Sequence, residues 1–144
     1  MALKFRNLDI DPSDPVESWG FEGLLAAVER GDVRDWRRIA QALSRDPRGK
    51  VAAEIREVVD SVENPAMANL FGDLLRNATV AQEAGERLAV VLELTRALEG
   101  SGLSRAEFAS RLGTSQSRLS TYLTGKVVPS AMVLIRARRL ATLR

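Results

Sequence analysis

The sequence predicts an all-α protein, and three observations support this fold class. Leu, Ala, Val, Arg and Glu dominate the 144 residues, while aromatic residues make up 5%, which is typical of helical proteins. Apolar residues recur at spacings of three and four along most of the chain, as one buried face of a helix requires. Helix-start and helix-stop residues separate these segments. A chain of this length forms one domain, or a small domain with a helical appendage.

Two helices are predicted after an irregular start of fourteen residues. The first begins at Asp14-Pro15, where Asp is the N-cap and Pro fits the first helical position, and it ends at Gly31. The second is capped by Asp32. Their apolar faces comprise Trp19, Phe21, Leu24, Leu25 and Val28 in the first helix and Val33, Trp36, Ile39, Ala40 and Leu43 in the second. The aromatic residues share these stripes, so we interpret them as core rather than as a ligand cage.

A third helix is predicted from Asp46-Pro47 and a fourth from Asn64-Pro65. Inward residues of the third helix are Val51, Ile55, Val58, Val59 and Val62. Residues of the fourth at spacings of three, four or seven are Met67, Phe71, Leu74, Ala78, Ala81, Leu88, Leu92 and Thr95. Its two glycines each weaken the helix by about 1 kcal/mol relative to alanine. Residues 64–99 therefore form one long connecting helix, or two helices broken near Asn77 or Gly85. A long helix would form a dimer seam or pack on the N-terminal domain.

Residues 103–125 have the pattern of a helix, a glycine turn and a second helix. Ser104 and Glu107 form a capping box at the start, and Gly113 fits the turn, where glycine adopts a positive φ at little cost. Ser115 caps the second helix, which Gly125 ends. Inward residues of this pair are Leu103, Phe108, Ala109, Leu112, Leu119, Tyr122 and Leu123.

A last helix is predicted to begin at Ala131, after Pro129-Ser130. The face that can pack on the preceding pair of helices comprises Val133, Leu134, Ala137 and Leu140. Met132 and Ile135 are then left over. Exposed apolar residues of this kind mark a partner surface, and the alternative is packing against the N-terminal helices.

Charge divides the chain into an acidic and a basic part. Residues 1–85 hold 11 Lys and Arg against 15 Asp and Glu, a net charge of −4, whereas residues 86–144 hold 10 against 4, a net charge of +6. This asymmetry indicates a polyanion-binding part on an acidic body, or else a solvated basic face without a ligand. Its coincidence with the helix-turn-helix pattern favours DNA.

Composition disfavours several other classes of function. The chain has no cysteine and no histidine, so it lacks a disulfide framework, a thiolate nucleophile and the commonest general base and metal ligand. We therefore expect neither an enzyme nor a cofactor or metal site. No apolar run approaches the roughly 18 residues of a membrane span, and residues 1–14 lack the apolar segment of a signal peptide. The expected location is the cytoplasm, without membrane attachment.

The C-terminal part resembles the lambda repressor/Cro-like helix-turn-helix family of XRE-type transcriptional regulators. The resemblance covers about residues 88–141 and rests on these motifs at the spacing of the family: Gly102-Leu103-Ser104, Glu107-Phe108-Ala109, Leu112-Gly113, Ser115, Leu119-Ser120, Gly125-Lys126 and Pro129-Ser130. It implies that residues 88–144 form a DNA-binding domain. Helix 115–124 would be the recognition helix, whose N-terminal residues enter the major groove of double-stranded DNA.

The resemblance also implies which residues contact DNA. Gln116 takes the position that most often reads a base, and its amide can bond adenine N6 and N7. Ser117 would contact a base or a phosphate, Arg118 a guanine or a phosphate, and Thr121 a thymine methyl group. Arg105 stands where the family often has Gln, so it would hold a phosphate or alter the base preference. The remaining expected contacts are Ser115, Ser120, Thr124 and Lys126.

The sequence departs from the family at one pair of positions. Many members carry an Arg in the first helix and a Glu two residues before the closing glycine, and these positions are Leu98 and Leu123 here. Replacing an ion pair by an apolar contact is often neutral or stabilising, so we expect the two leucines to touch. Solvent exposure of either one would refute this register.

These observations predict a sequence-specific DNA-binding transcriptional regulator, a repressor, that acts as a homodimer on a palindrome. Residues 1–63 are predicted to form an acidic α-helical domain without a ligand-binding signature, which would serve dimerisation, ligand sensing or binding of a partner protein. The alternative function is an antitoxin or bridging protein. Its N-terminal half would bind a partner such as a toxin, and its DNA binding would serve autoregulation.

Overall fold

The computed structural model describes residues 2–6 and 8–142, and this part of the chain is helical without any strand. A single turn of 3-10 helix covers Val16–Ser18. The seven α-helices of the described residues are α1 (Gly20–Arg30), α2 (Val33–Arg45), α3 (Lys50–Ser61), α4 (Pro65–Ser101), α5 (Arg105–Leu112), α6 (Gln116–Leu123) and α7 (Ala131–Leu140). The predicted all-α fold is confirmed. The outermost ends of the predicted first and last domains, including Arg144 of the basic part, lie outside the described residues.

The chain divides into two compact units, Met1–Gln82 and Glu83–Arg144. In the first unit, α1, α2, α3 and the beginning of α4 enclose a core that contains Leu24, Ile39, Ile55 and Phe71. Trp19 is buried, as the sequence predicts, and Phe21 and Trp36 are half-buried against the same core. Both indole N–H groups donate hydrogen bonds to main-chain carbonyls. The aromatic residues are therefore satisfied core groups.

Arg38 ties the segment before α1 to the first core. Its guanidinium lies 4.8 Å from the centroid of the Trp19 ring, which is cation–π distance. Its Nη2 donates to the carbonyl of Asp14 at 2.8 Å, and its Nη1 donates to the carbonyl of Pro12. Phe5 meets the same indole edge to face, with ring centroids 5.3 Å apart. One side chain of α2 thus holds residues 12–14 next to Trp19.

Three local predictions for the first unit are wrong. The helix predicted from Asp14-Pro15 is interrupted at Gly20, whose φ of +68° is incompatible with a continuous α-helix. Val33, predicted to face inward, is exposed because it is the first residue of α2 and precedes the buried face. The third helix begins at Lys50 with Gly49 as N-cap, because Asp46 closes a turn by accepting the Gly49 N–H. Asp32, in contrast, caps α2 as predicted, in a reciprocal capping box with Asp35.

α4 is one continuous helix of 37 residues, so the alternative with a break near Asn77 or Gly85 is wrong. It begins as predicted, with the side chain of Asn64 accepting the N–H of Ala66 at 2.9 Å. Residues 83–89 are exposed on every side of the helix. No helix among residues 2–6 and 8–142 combines the length and apolarity needed to cross a membrane.

The predicted inward stripe of α4 holds only in its first part. Phe71 and Ala78 are buried in the first core, whereas Ala81 and Leu92 are exposed and Leu88 is 58% exposed. The buried residue of the second half is Leu94, which the predicted stripe omits. The buried residues of the second half do not continue the spacing of Phe71 and Ala78, so a single spacing pattern does not describe both halves.

In the second unit, the end of α4 packs with α5, α6 and α7 around the fully buried side chains of Leu94, Phe108, Leu112 and Leu119. The predicted packing face of α7 is confirmed, because Val133, Ala137 and Leu140 are buried and Leu134 is half-buried there, while Met132 and Ile135 are exposed. Leu98 and Leu123 are both half-buried against this core. Their register is therefore not refuted, and a direct contact between them stays a prediction.

Candidate nucleic-acid interface

Both helices of the helix-turn-helix, α5 and α6, begin at a serine that caps the first turn. Ser104 Oγ accepts the N–H of Glu107 at 3.2 Å, and Ser115 Oγ accepts the N–H of Arg118 at 3.0 Å. Both serines thus satisfy an amide that the first turn of a helix leaves unpaired. Only this half of the predicted capping box is formed at α5 within the described residues, because the Glu107 carboxylate does not return a bond.

The turn between α5 and α6 depends on Gly113, as predicted. Its φ of +80° places it in the left-handed region, and its N–H donates to the carbonyl of Ser110 while that of Thr114 donates to Ala109. Arg136 of α7 adds a contact that the sequence did not reveal, since its Nη1 donates to the carbonyl of Leu112 at 2.9 Å. The last carbonyl of α5 is therefore bonded from a helix 24 residues away in sequence.

α6 presents polar residues to solvent and apolar residues to the core. Leu119 and Tyr122 are buried, whereas Gln116, Ser117 and Arg118 are exposed in its first turn. The side chains of Gln116 and Ser117 make no hydrogen bond within the described part of the chain. Their donors and acceptors are therefore available to a ligand.

The hydroxyl groups of α6 are partly engaged. Thr121 is half-buried and donates to the carbonyl of Arg118 at 2.6 Å, and exposed Thr124 donates to that of Thr121 at 3.2 Å. Their lone pairs and methyl groups remain for a ligand, while the hydroxyl protons do not. The Ser115 hydroxyl, in contrast, accepts the capping hydrogen bond, so its proton is still available for donation to a ligand. Ser120 is exposed on the helix surface.

The side chains of Arg118 and Tyr122 form a hydrogen bond within α6 that the sequence pattern did not reveal. The Nε of Arg118 donates to the hydroxyl of Tyr122 at 2.9 Å. The spacing of four residues places two side chains on the same face of a helix, so this contact could have been predicted. The apolar pattern of the helix predicts only a core position for Tyr122.

Exposed basic residues occur at the start of α5 and just after α6. Arg105 is exposed as the first residue of α5, and Lys126 is exposed just after Gly125. Residues 108–142 contain no Asp or Glu. Arg138 of α7 donates to the Glu93 carboxylate of α4, and this bond lowers the pKa of Glu93 and raises that of Arg138. Arg105 and Lys126, in contrast, form no ion pair within the described residues, so their charges are available to an anion.

Comparison with known proteins identifies the family. A sequence profile described as a helix-turn-helix domain matches residues 71–143, just over half of the chain. The match begins within α4, earlier than the sequence analysis expected, and includes the helices that carry the exposed polar and basic surface. Searches of curated proteins and of solved structures found no match. The chain belongs to the helix-turn-helix domain family, which is typical of DNA-binding regulators and consistent with the XRE-type resemblance.

Proposed function

We propose that the protein is a sequence-specific transcriptional regulator that places α6 in the major groove of double-stranded DNA. The observation that carries this proposal is the first turn of α6. Three polar side chains are exposed there on a helix whose opposite face is buried, and no carboxylate occurs in residues 108–142 to repel phosphate. A helix of this kind reads base edges with its N-terminal residues.

Each exposed group suits a contact of a stated type. The free amide of Gln116 can form two hydrogen bonds with adenine, and the guanidinium of Arg118 can form two with guanine. Ser117 supplies a hydroxyl for a base or a phosphate. The remaining residues, at the caps and flanks, would hold the DNA backbone: Arg105, Ser115, Ser120, Thr121, Thr124 and Lys126.

We further propose a homodimer that represses transcription by occupying a palindrome. Met132 is 62% and Ile135 46% exposed on α7, and adjacent exposed apolar side chains favour coverage by a partner. Two recognition helices would then enter successive major grooves about 34 Å apart. A protein bound across a promoter in this way blocks access of RNA polymerase.

A gel-shift titration with the DNA upstream of the protein's own gene tests this function. Gln116→Ala is expected to lose about 1–3 kcal/mol of discrimination at one base pair, whereas Lys126→Ala weakens binding to all sequences and lowers the salt slope by about 1. Complex stoichiometry on a palindrome reports the dimer. Gln41→Ala, which removes an exposed glutamine of α2, is the matched control and leaves binding unchanged. If Gln116→Ala and Arg118→Ala both leave affinity and sequence preference unchanged, the groove assignment is wrong.

A second candidate function is binding of a partner protein, such as a toxin, by the N-terminal unit. This candidate is supported by the acidic first unit, which has a core of its own. Most of this unit lies outside residues 71–143, which match the helix-turn-helix profile. Co-expression of the full chain with the product of the adjacent gene tests it. Co-purification that survives Gln116→Ala would assign partner binding to a surface other than the DNA-contacting one, as an antitoxin requires.

A further inference from the structure

We propose that Tyr122 is a positioning residue for Arg118 and determines which edge of its guanidinium meets DNA. In this arrangement Arg118 reads a guanine in the major groove. The inference rests on the proposed role of α6, and it adds a residue that the sequence assigns to the core.

Tyr122 is a rigid anchor. It is 5% exposed and belongs to the buried core of the second unit. A tyrosine side chain has two rotatable bonds, both of which this packing restrains, so the position of its hydroxyl is set by the core. The hydroxyl is the acceptor of the 2.9 Å bond from Arg118 Nε.

Arg118 is held at three points although it is exposed. Its N–H donates to the Ser115 cap, its carbonyl accepts the Thr121 hydroxyl, and its Nε donates to Tyr122. A free arginine side chain samples many rotamers, and ordering it on binding lowers affinity. The bond to Tyr122 orders the side chain before DNA arrives.

The bond also selects one face of the guanidinium. Arginine can form paired hydrogen bonds through its Nε–Nη2 edge or through its Nη1–Nη2 edge. Because Tyr122 occupies Nε, the Nη1–Nη2 edge is the one left for paired bonding. Guanine O6 and N7 are the acceptors that such an edge recognises in the major groove, and the neighbouring exposed residue Gln116 suits a base contact too.

Tyr122→Phe tests this inference because it removes the hydroxyl and keeps the ring. Binding is measured on the preferred site and on its single-base-pair variants, for wild type, Tyr122→Phe, Arg118→Ala and the double variant. We expect Tyr122→Phe to weaken binding to the preferred site about 3- to 10-fold, with reduced selectivity confined to one G·C pair. In the Arg118→Ala background the same change should have no effect.

A spectroscopic measurement separates positioning from stability. In the free protein, the Arg118 Nε–H resonance should be protected from exchange with water and lose that protection in Tyr122→Phe, while amides of α5 and α6 keep theirs. An unprotected Nε–H in the wild type would overturn the proposal. So would an equal effect of Tyr122→Phe with and without Arg118, or a uniform loss over all DNA sequences, which indicates a phosphate contact.

The two proposals fail in different ways. If Arg118→Ala and Gln116→Ala do not alter DNA binding, the proposed function itself is wrong. If Arg118→Ala abolishes preference for the G·C pair while Tyr122→Phe leaves it intact, the proposed function stands and the role of Tyr122 is refuted.

Discussion

Replacing Gly113 by alanine should destabilise the second unit while leaving the first unchanged. Two independent features of the turn oppose a side chain at this position. The φ of +80° is a conformation that L-residues rarely adopt. An added Cβ would also lie 2.8 Å from Nη1 of Arg136, the nitrogen that bonds the Leu112 carbonyl.

The size of the effect follows from these two contributions. A left-handed backbone costs an alanine about 1–2 kcal/mol. The Arg136 head is the end of a flexible chain, so it moves aside, and the loss of its bond to Leu112 costs about 1 kcal/mol more. We therefore expect Gly113→Ala to lower the free energy of unfolding of the second unit by about 2–3 kcal/mol.

Gly85→Ala is a matched control in the same unit. Gly85 lies within α4, and nothing is found within 4 Å of an added Cβ. Alanine should stabilise the helix there by up to about 1 kcal/mol. Amide hydrogen exchange measures both variants, with α5 and α6 as the reporters and the core of α1 and α3 as the internal reference.

A double-mutant cycle with Arg136→Ala separates the two contributions. Without the guanidinium, Gly113→Ala should cost only the backbone term, about 1–2 kcal/mol. An identical cost in both backgrounds would show that Arg136 is irrelevant to the turn. Unchanged protection of α5 and α6 in Gly113→Ala would refute the reasoning altogether.

Two further predictions concern the first unit, and both are measured by urea unfolding. Glu54 has a buried Oε2 without a hydrogen-bond partner in the described residues, and burial raises its pKa. Because the pKa of Glu54 is higher in the folded protein than in the unfolded chain, protonation of Glu54 stabilises the fold. This contribution is fully present at a pH below the pKa of the unfolded chain, and it is lost as the pH rises through the pKa of the folded protein. Glu54→Met should therefore raise the free energy of unfolding at neutral pH by about 1 kcal/mol and make that free energy less dependent on pH at acidic pH. The exposed control Glu29→Met should have neither effect. Arg38→Ala should lower the free energy of unfolding by about 2 kcal/mol, because it removes the hydrogen bond to Asp14 and the cation–π contact with Trp19. If Arg37→Ala, the exposed control, lowers it by as much, Arg38 does not have this role.

Locally encoded features were the most predictable part of the fold. The caps at Asp32, Ser104 and Ser115 and the turn at Gly113 all form at the predicted residues. Each depends on the side chain or φ of one residue and on amides within three positions of it, so a short stretch of sequence contains the whole interaction. The exposure of the base-reading candidates followed from the same helix register.

Two contacts between distant segments were not predictable. The spacing from Phe71 predicts that Leu88 faces inward, yet the second core buries Leu94, which that spacing omits. That choice depends on where α5 and α7 pack, which the spacing of α4 does not contain. The bond from Arg136 to Leu112 has the same origin, since it joins residues 24 positions apart.

The placement of the aromatic residues gives the two units separate optical signals. Both tryptophans, Trp19 and Trp36, lie in the first unit, and the single tyrosine of the chain, Tyr122, lies in the second beside Arg118. Tryptophan emission, excited at wavelengths where tyrosine does not absorb, therefore reports on the acidic unit alone. A partner protein that binds this unit can be detected in the unmodified chain, without attaching a dye.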